Sequence, residues 1–313
     1  MVLRILITMD ILFVRKRNYM IAGSAAAVLC LLMVIFPSVA VCSAQKGISL
    51  WASSVLPALL PFFICANFLN AVGAVSFVRP SLFPFAMSVL SGYPMGAKII
   101  GDMRREKRIT QTEAKRLISF CSTSGPAFMV GAVGVGMLGS AGAGILIAAS
   151  HYLGAAANGI IYSLFFRGRH PSSVSGSVRN KEVLELFTEA VLSAFKSLAI
   201  ILAYIILFMF LTDLIHLGGL LSWVQEPWLK GMMKGFFEMT LGCGAVAECA
   251  EVSMTMKCVL SAVLLSWGGL SVLGQSMSML SGSGIRLAYF VLTKLTHSIL
   301  SGIIAFFLAG IML

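Results

Sequence analysis

Two short clusters of polar and helix-breaking residues interrupt long apolar stretches, and they are the positions most able to bind a polar molecule. The first is SGYPMGAK at positions 91–98, and the second is STSGP at positions 122–126. Gly and Pro break a helix and leave backbone N–H and C=O groups without partners. Inside a bilayer such groups are tolerated only where protein buries them or where they line a wet cavity. Interrupted helices of this kind indicate the binding site of a transporter.

The first cluster supplies four candidate binding residues, Ser91, Gly92, Tyr93 and Lys98. The ammonium group of Lys98 would pair with a carboxylate substrate if the side chain points into a cavity. Alternatively, Lys98 extends to the cytoplasmic edge of the membrane, as long basic side chains often do. The sequence leaves these two positions for Lys98 open.

The second cluster supplies Ser122, Ser124 and Gly125, which offer hydroxyl groups and free backbone N–H groups where a half-helix begins. The N-terminus of a helix carries partial positive charge and binds anions without needing a lysine. The alternative is that these small residues only allow two helices to cross closely.

The C-terminal half supplies Glu238, Thr240, Gly269 and Gln275 as candidates. Carboxylates at membrane depth are costly and mark proton or ion pathways, so Glu238 is predicted to couple transport to protons or another cation. The alternative is an interfacial ion pair between Glu238 and Lys234. Gln275 can both donate and accept hydrogen bonds close to Gly269.

Composition identifies the class of protein. Of 313 residues, 58% are hydrophobic and 11% are charged, and the mean hydropathy is +0.95. Soluble domains carry about a quarter charged residues, so the sequence predicts a polytopic membrane protein that is embedded in a lipid bilayer. The net charge of +11 lies in short segments between apolar runs, which fits the positive-inside rule and predicts no nucleic-acid partner.

Neither a cofactor nor an enzymatic activity is predicted. The GVGMLG run at positions 134–139 formally matches a dinucleotide fingerprint, but it lacks the preceding strand and the soluble βαβ unit, and close helix packing explains it better. The chain contains no H-E-x-x-H or G-x-S-x-G motif, its seven cysteines form no C-x-x-C pair, and no metal site is indicated.

The chain is expected to divide into four parts. Residues 1–47 form a basic tail and a first transmembrane helix, residues 48–166 a first repeat, residues 167–182 a basic cytoplasmic linker, and residues 183–313 a second repeat. An apolar run over residues 20–42 is long enough to cross the membrane. It is predicted to be uncleaved, with its N-terminus in the cytoplasm, although VCSA at positions 41–44 loosely resembles a signal-peptidase site.

The two predicted repeats share one order of features. Each has a first break, a second break and then a histidine in its closing helix, at Gly92, Gly125 and His151 and at Gly242, Gly269 and His297. Matching breaks in two halves are typical of transporters built from repeats. The predicted fold is therefore all-α, with two weakly related halves that contain broken or re-entrant helices.

Several of these motifs resemble a known family. The stretch at 91–98, FCSTSGP at 120–126, SHY at 150–152, EMT at 238–240 and SWGGLS at 266–271 are similar to the sporulation integral membrane proteins of the YlbJ type. These belong to the wider nucleoside-recognition, or Gate, domain group, and the resemblance runs from about residue 51 to the C-terminus. It implies inverted repeats with re-entrant hairpins, akin to concentrative nucleoside transporters. It also implies movement of dipicolinate into the developing spore, and hence a forespore membrane.

Our hypothesis is a carrier of a small organic anion, with dipicolinate during spore formation as the substrate. Two alternatives stay open. One is a carrier for a nucleoside-like solute, and the other is a non-transporting assembly factor that recruits partners through residues 102–116 and 167–181. The direction of transport and the oligomeric state also stay open, with a homo-oligomer among the alternatives.

Overall fold

The structure is a computed structural model that describes residues 2–73, 82–166 and 182–312. All regular structure in these ranges is helical, which confirms the predicted all-α class of a polytopic membrane protein. The predicted linker at 167–182 lies outside the described residues except for Glu182.

The helices before and within the first predicted repeat are separated by short breaks. In chain order they are α1 (Val2–Ile35), α2 (Pro37–Leu50), the π-helix π1 (Trp51–Val55), α3 (Leu56–Ala71), α4 (Leu82–Ser91), α5 (Met95–Arg105), α6 (Gln111–Ile118), the π-helix π2 (Ala127–Met137) and α7 (Ala141–Phe165).

The second half follows with fewer but similarly broken helices. They are α8 (Val183–Leu217), α9 (Pro227–Phe237), α10 (Met239–Glu248), α11 (Met254–Trp267), α12 (Gly269–Met279) and α13 (Leu287–Met312).

Four helical segments of the described chain are long and apolar enough to cross a membrane. They are α7, α8, the α11–α12 pair over Met254–Met279, and α13. A fifth crossing is possible by length and composition if the bent pair Tyr19–Ile35 and Pro37–Ser53 counts as one span. Several of the breaks adjoin helices that are too short to cross a membrane alone. Short helices of this kind are typical of re-entrant segments.

The apolar run over residues 20–42, predicted as one helix, is two helices that meet at a bend of 104°. Pro37 begins α2, and Phe36 before it has φ −118° and ψ 60°, outside the helical range. The physical reason is that proline disfavours helical backbone at the preceding residue and cannot donate an N–H to the ladder.

The first break of the second half lies at Glu238, between α9 and α10, and not at Gly242 as the repeat predicted. Gly242 lies inside α10, where a Cβ would come within 2.7 Å of the Gly235 backbone nitrogen. Gly242 therefore allows α9 and α10 to pack closely as a hairpin, and Glu238 is at its tip. The second break is at Gly268, where the backbone is left-handed with φ +85°.

Small residues also allow the long helices to approach one another. A Cβ at Gly134 in π2 would lie 2.5 Å from the Cα of Gly144 in α7. The same holds between α7 and α13, where a Cβ at Gly154 would lie 3.0 Å from the Ser301 nitrogen. The glycine run at 134–139 thus takes part in helix packing.

Candidate binding site

The broken segments meet around one cavity of about 130 Å³. This is roughly ten times the volume that one water molecule needs, so the cavity has room for a small solute. Eight of the eleven predicted binding residues line it, namely Ser91, Gly92, Tyr93, Ser124, Gly125, Glu238, Thr240 and Gln275.

The opposite wall of the cavity is apolar. It is formed by side chains from α2, π1, α3 and α8, and these are Leu50, Val55, Leu59, Phe62, Ile201 and Ile205. A mostly apolar lining with a few convergent polar groups is typical of small-molecule sites. None of these apolar residues was selected from the sequence, because aliphatic residues carry no signal in a chain that is 58% hydrophobic.

Two breaks of the first half touch each other at the cavity. Gly92 has φ +76°, and a Cβ there would lie 2.7 Å from the Gly125 nitrogen. Ser88 in α4 holds the second break in place, since its hydroxyl oxygen accepts a hydrogen bond from the Thr123 backbone N–H (3.1 Å) and lies 2.8 Å from the Thr123 hydroxyl. The positive φ at Gly92 and its close approach to Gly125 explain why glycine is required at position 92.

The Tyr93 ring lines the cavity while its hydroxyl group points away into the protein. The hydroxyl donates to the Leu265 carbonyl (3.0 Å) and accepts from Lys294 Nζ (2.6 Å). Lys294 Nζ also donates to the Ser122 carbonyl (3.0 Å) and lies 4.4 Å from the Tyr93 ring centroid. Lys294 is 2% exposed and was not among the predicted site residues. The available signal was a lysine within the last apolar stretch, because ionisable residues in such stretches are functional candidates by default.

His151 in α7 supports the second break. Its Nε2 accepts a hydrogen bond from the Ser124 backbone N–H (2.9 Å), so Nδ1 carries the proton and donates to the Ser266 hydroxyl (2.8 Å). The other side of the same break is bound by Tyr152, whose hydroxyl donates to the Ser124 carbonyl (2.9 Å). His297 in turn donates from Nε2 to the His151 carbonyl (2.9 Å). Both histidines thus bind neighbouring helices.

Glu238 caps the N-terminus of α10 at the edge of the cavity. Its Oε2 accepts from the Leu241 backbone N–H (2.8 Å), and its Oε1 accepts from the Thr240 hydroxyl (3.1 Å). The residue is 5% exposed. Among the ion pairs of the described residues, none joins Glu238 to Lys234.

Three predicted residues do not line the cavity. Lys98 is buried, and its Nζ forms an ion pair with Asp102 Oδ2 (3.0 Å). The hydroxyl of Ser122 is buried with no hydrogen-bond partner among the described residues, and its carbonyl binds Lys294. At Gly269, a Cβ would lie 3.1 Å from the Met239 nitrogen, so this glycine allows α12 to begin beside the Glu238 break.

Comparison with known proteins decides the family. No protein-family model matches the chain, and no solved structure matches it. The chain is 30% identical over 335 aligned positions to the sporulation integral membrane protein YlbJ of Bacillus subtilis (strain 168), covering 92% of this chain and 82% of that protein. The chain belongs to the YlbJ family of sporulation integral membrane proteins.

Membership in the YlbJ family confirms the resemblance that the motifs at 91–98 and 120–126 predicted. It also agrees with the apolar helices in assigning the chain as a multi-pass integral membrane protein associated with sporulation. In this YlbJ-family protein, both motifs contribute residues to the cavity.

Proposed function

We propose that this protein carries a small organic anion across a membrane during spore formation, and that dipicolinate is the anion. The observation that carries the proposal is the cavity at which three helix breaks meet, at Gly92, Gly125 and Glu238. Broken helices from two halves of a membrane protein surround the substrate in many carriers. A protein that only recruited partners would not need such a cavity.

The polar side of the cavity offers donors for carboxylate groups. The Ser91 hydroxyl is buried and has no hydrogen-bond partner among the described residues, yet Ser91 lines the cavity. The first residues of π2 and α10, Ala127 and Met239, also line it. Helix N-termini carry partial positive charge and stabilise anions. The α10 terminus is already capped by the Glu238 carboxylate, so the unpartnered Ser91 hydroxyl and the start of π2 are the groups that support an anionic substrate.

The flat shape of an aromatic dicarboxylate fits the remaining lining. The rings of Tyr93 and Phe128 border the cavity beside the aliphatic wall of α3 and α8. Aromatic and aliphatic side chains bury the ring of a ligand, while the polar groups orient its carboxylates. The narrower assignment of dipicolinate comes from the family resemblance.

Glu238 couples the proposed transport to the movement of protons. An ionised carboxylate in the same cavity would repel an anionic substrate, because like charges at short distance disfavour one another. We therefore assign the protonated form of Glu238 to the substrate-bound state. One proton would then move with each substrate anion.

The test is uptake of labelled dipicolinate into liposomes that contain the purified protein. Uptake above protein-free liposomes, and its loss in Ser91→Ala with unchanged protein level, would support the carrier and its site. Uptake of a nucleoside in place of dipicolinate would keep the carrier and replace the substrate. If neither solute is transported or bound, the result would contradict the carrier and support the alternative of an assembly factor.

A further inference from the structure

Lys294 is a buried lysine that forms no ion pair with any described residue. It lies near the start of α13, is 2% exposed, and its Nζ donates only to neutral oxygens, those of Tyr93 and Ser122. None of the four ion pairs among the described residues includes Lys294. Buried charges in proteins are normally paired, and within a membrane a lone cation is especially costly. A charged Lys294 therefore needs a counter-charge that the described residues do not supply.

The amine is placed directly behind the wall of the cavity. Tyr93 lines the cavity, and Lys294 Nζ lies 4.4 Å from the centroid of the Tyr93 ring. The second partner, the Ser122 carbonyl, belongs to the same break as the cavity-lining Ser124 and Gly125. A negative group bound beside Tyr93 would thus lie about one ring away from the amine.

Other charged groups do not fill this role. The carboxylate of Glu238 is occupied by the Thr240 hydroxyl and the Leu241 N–H. The nearby His151 and His297 rings bind backbone groups of the breaks and helices. Since no ion pair of the described residues includes Lys294, a bound anion is the source of negative charge that we consider.

We propose that Lys294 is the specificity-determining residue for substrate charge, and that a carboxylate of the bound substrate supplies its missing counter-charge. The inference rests on the proposed transport function. The role that the sequence suggested for Lys98, which already has Asp102 as its partner, is thereby assigned to Lys294, which was not among the sequence candidates. The residue acts through the Tyr93 wall, and a neutral solute of the same shape would not benefit from it.

The experiment compares two ligands that differ in charge. Binding of dipicolinate and of the neutral pyridine-2,6-dicarboxamide is measured on purified protein in lipid nanodiscs, for the wild type, Lys294→Met and Lys294→Arg. The control is Lys196→Met, which removes an exposed lysine of α8. Each variant is first shown to be monodisperse and folded by size-exclusion chromatography and circular dichroism.

We expect the wild type to prefer the dicarboxylate, and Lys294→Met to lose that preference by a factor of roughly 15 to 35. This is the effect of a unit charge about 8–10 Å away at an effective dielectric constant near 20. Lys294→Arg and Lys196→Met should keep the preference. Binding of the dicarboxamide itself should change little in Lys294→Met.

The outcomes separate the two proposals. If Lys294→Met is folded and still prefers the dicarboxylate as the wild type does, the role of Lys294 is overturned and the carrier stands. The same conclusion follows if the wild type binds both ligands equally. If the wild type binds neither ligand, both the substrate and the role of Lys294 are wrong. Should Lys294→Met fail to fold, Lys294→Arg decides, because loss of preference in that folded, charged variant contradicts the inference.

Discussion

The hydroxyl group of Tyr93 lies 2.6 Å from Nζ of Lys294, although 201 positions separate the two residues in the chain. The same hydroxyl donates to the carbonyl of Leu265, three residues before the break at Gly268. One phenol therefore joins the first break of the first half to two helices of the second half. The shape of the cavity depends on this connection, because the Tyr93 ring forms part of its wall.

Tyr93→Phe should destabilise the protein while keeping the ring in the cavity wall. The substitution leaves the Leu265 carbonyl and one N–H of Lys294 without their partner, and a buried polar group that loses its partner costs about 1–3 kcal/mol. We expect a lower midpoint of thermal unfolding, measured for the purified protein in detergent.

The matched control for this prediction is Tyr204→Phe. The Tyr204 hydroxyl bonds the Ser278 hydroxyl at an exposed position (2.9 Å), where water can replace the lost partner. The unfolding midpoint should fall much less than in Tyr93→Phe. Equal shifts in the two variants would contradict the assigned role of the Tyr93 hydroxyl.

Gly92→Ala should prevent the two breaks of the first half from meeting. The backbone at Gly92 is left-handed, with φ +76°, and the new Cβ would lie 2.7 Å from the Gly125 nitrogen, so both strain and a clash follow. We expect a sharp loss of folded protein and of ligand binding, measured by fluorescence-detected size-exclusion chromatography. Gly131→Ala is the control, since nothing lies within 4 Å of a Cβ there, and comparable yields would contradict the prediction.

The positions of most breaks could be predicted because they depend on local chemistry. Glycine and proline disfavour a continuous helix at Gly92, at residues 122–126 and at the Gly268–Gly269 pair. The bend before Pro37 followed from the same rule but was not predicted, since the length of the apolar run was given more weight. At Glu238 the signal was different, because a carboxylate that caps a helix marks a break without any glycine.

What the sequence could not reveal is which distant residues meet. The contact between Tyr93 and Lys294 depends on how α13 packs against the broken segments, and no local pattern encodes it. Lys98 was selected instead because it adjoins the first break in sequence, yet its nearest opposite charge is one helical turn away at Asp102. Ion pairs at i, i+4 are the commoner outcome for a lysine on a helix.

Lys98→Ala should leave uptake of dipicolinate within about a factor of two of the wild type. The lysine does not line the cavity. Its loss leaves Asp102 still paired with Arg105 (2.6 Å), so neither the site nor the end of α5 is left with an unpaired charge. The measurement is the initial rate of liposome uptake. A complete loss of uptake with normal protein level would return Lys98 to the binding site.

Glu238→Gln should separate transport from the proton gradient. In the wild type we expect an inward proton gradient to drive uptake of dipicolinate, at pH values where the carboxylates of the substrate stay ionised, because the proposed cycle moves one proton on Glu238 with each substrate anion. Gln is permanently neutral, and its amide oxygen can still accept the Leu241 N–H that caps α10. Uptake by the variant should therefore persist without dependence on the gradient.

The control is Glu248→Gln, which changes an exposed carboxylate away from this cavity and should keep the wild-type dependence on the proton gradient. Proton-coupled uptake that survives in Glu238→Gln would assign the coupling to a different group.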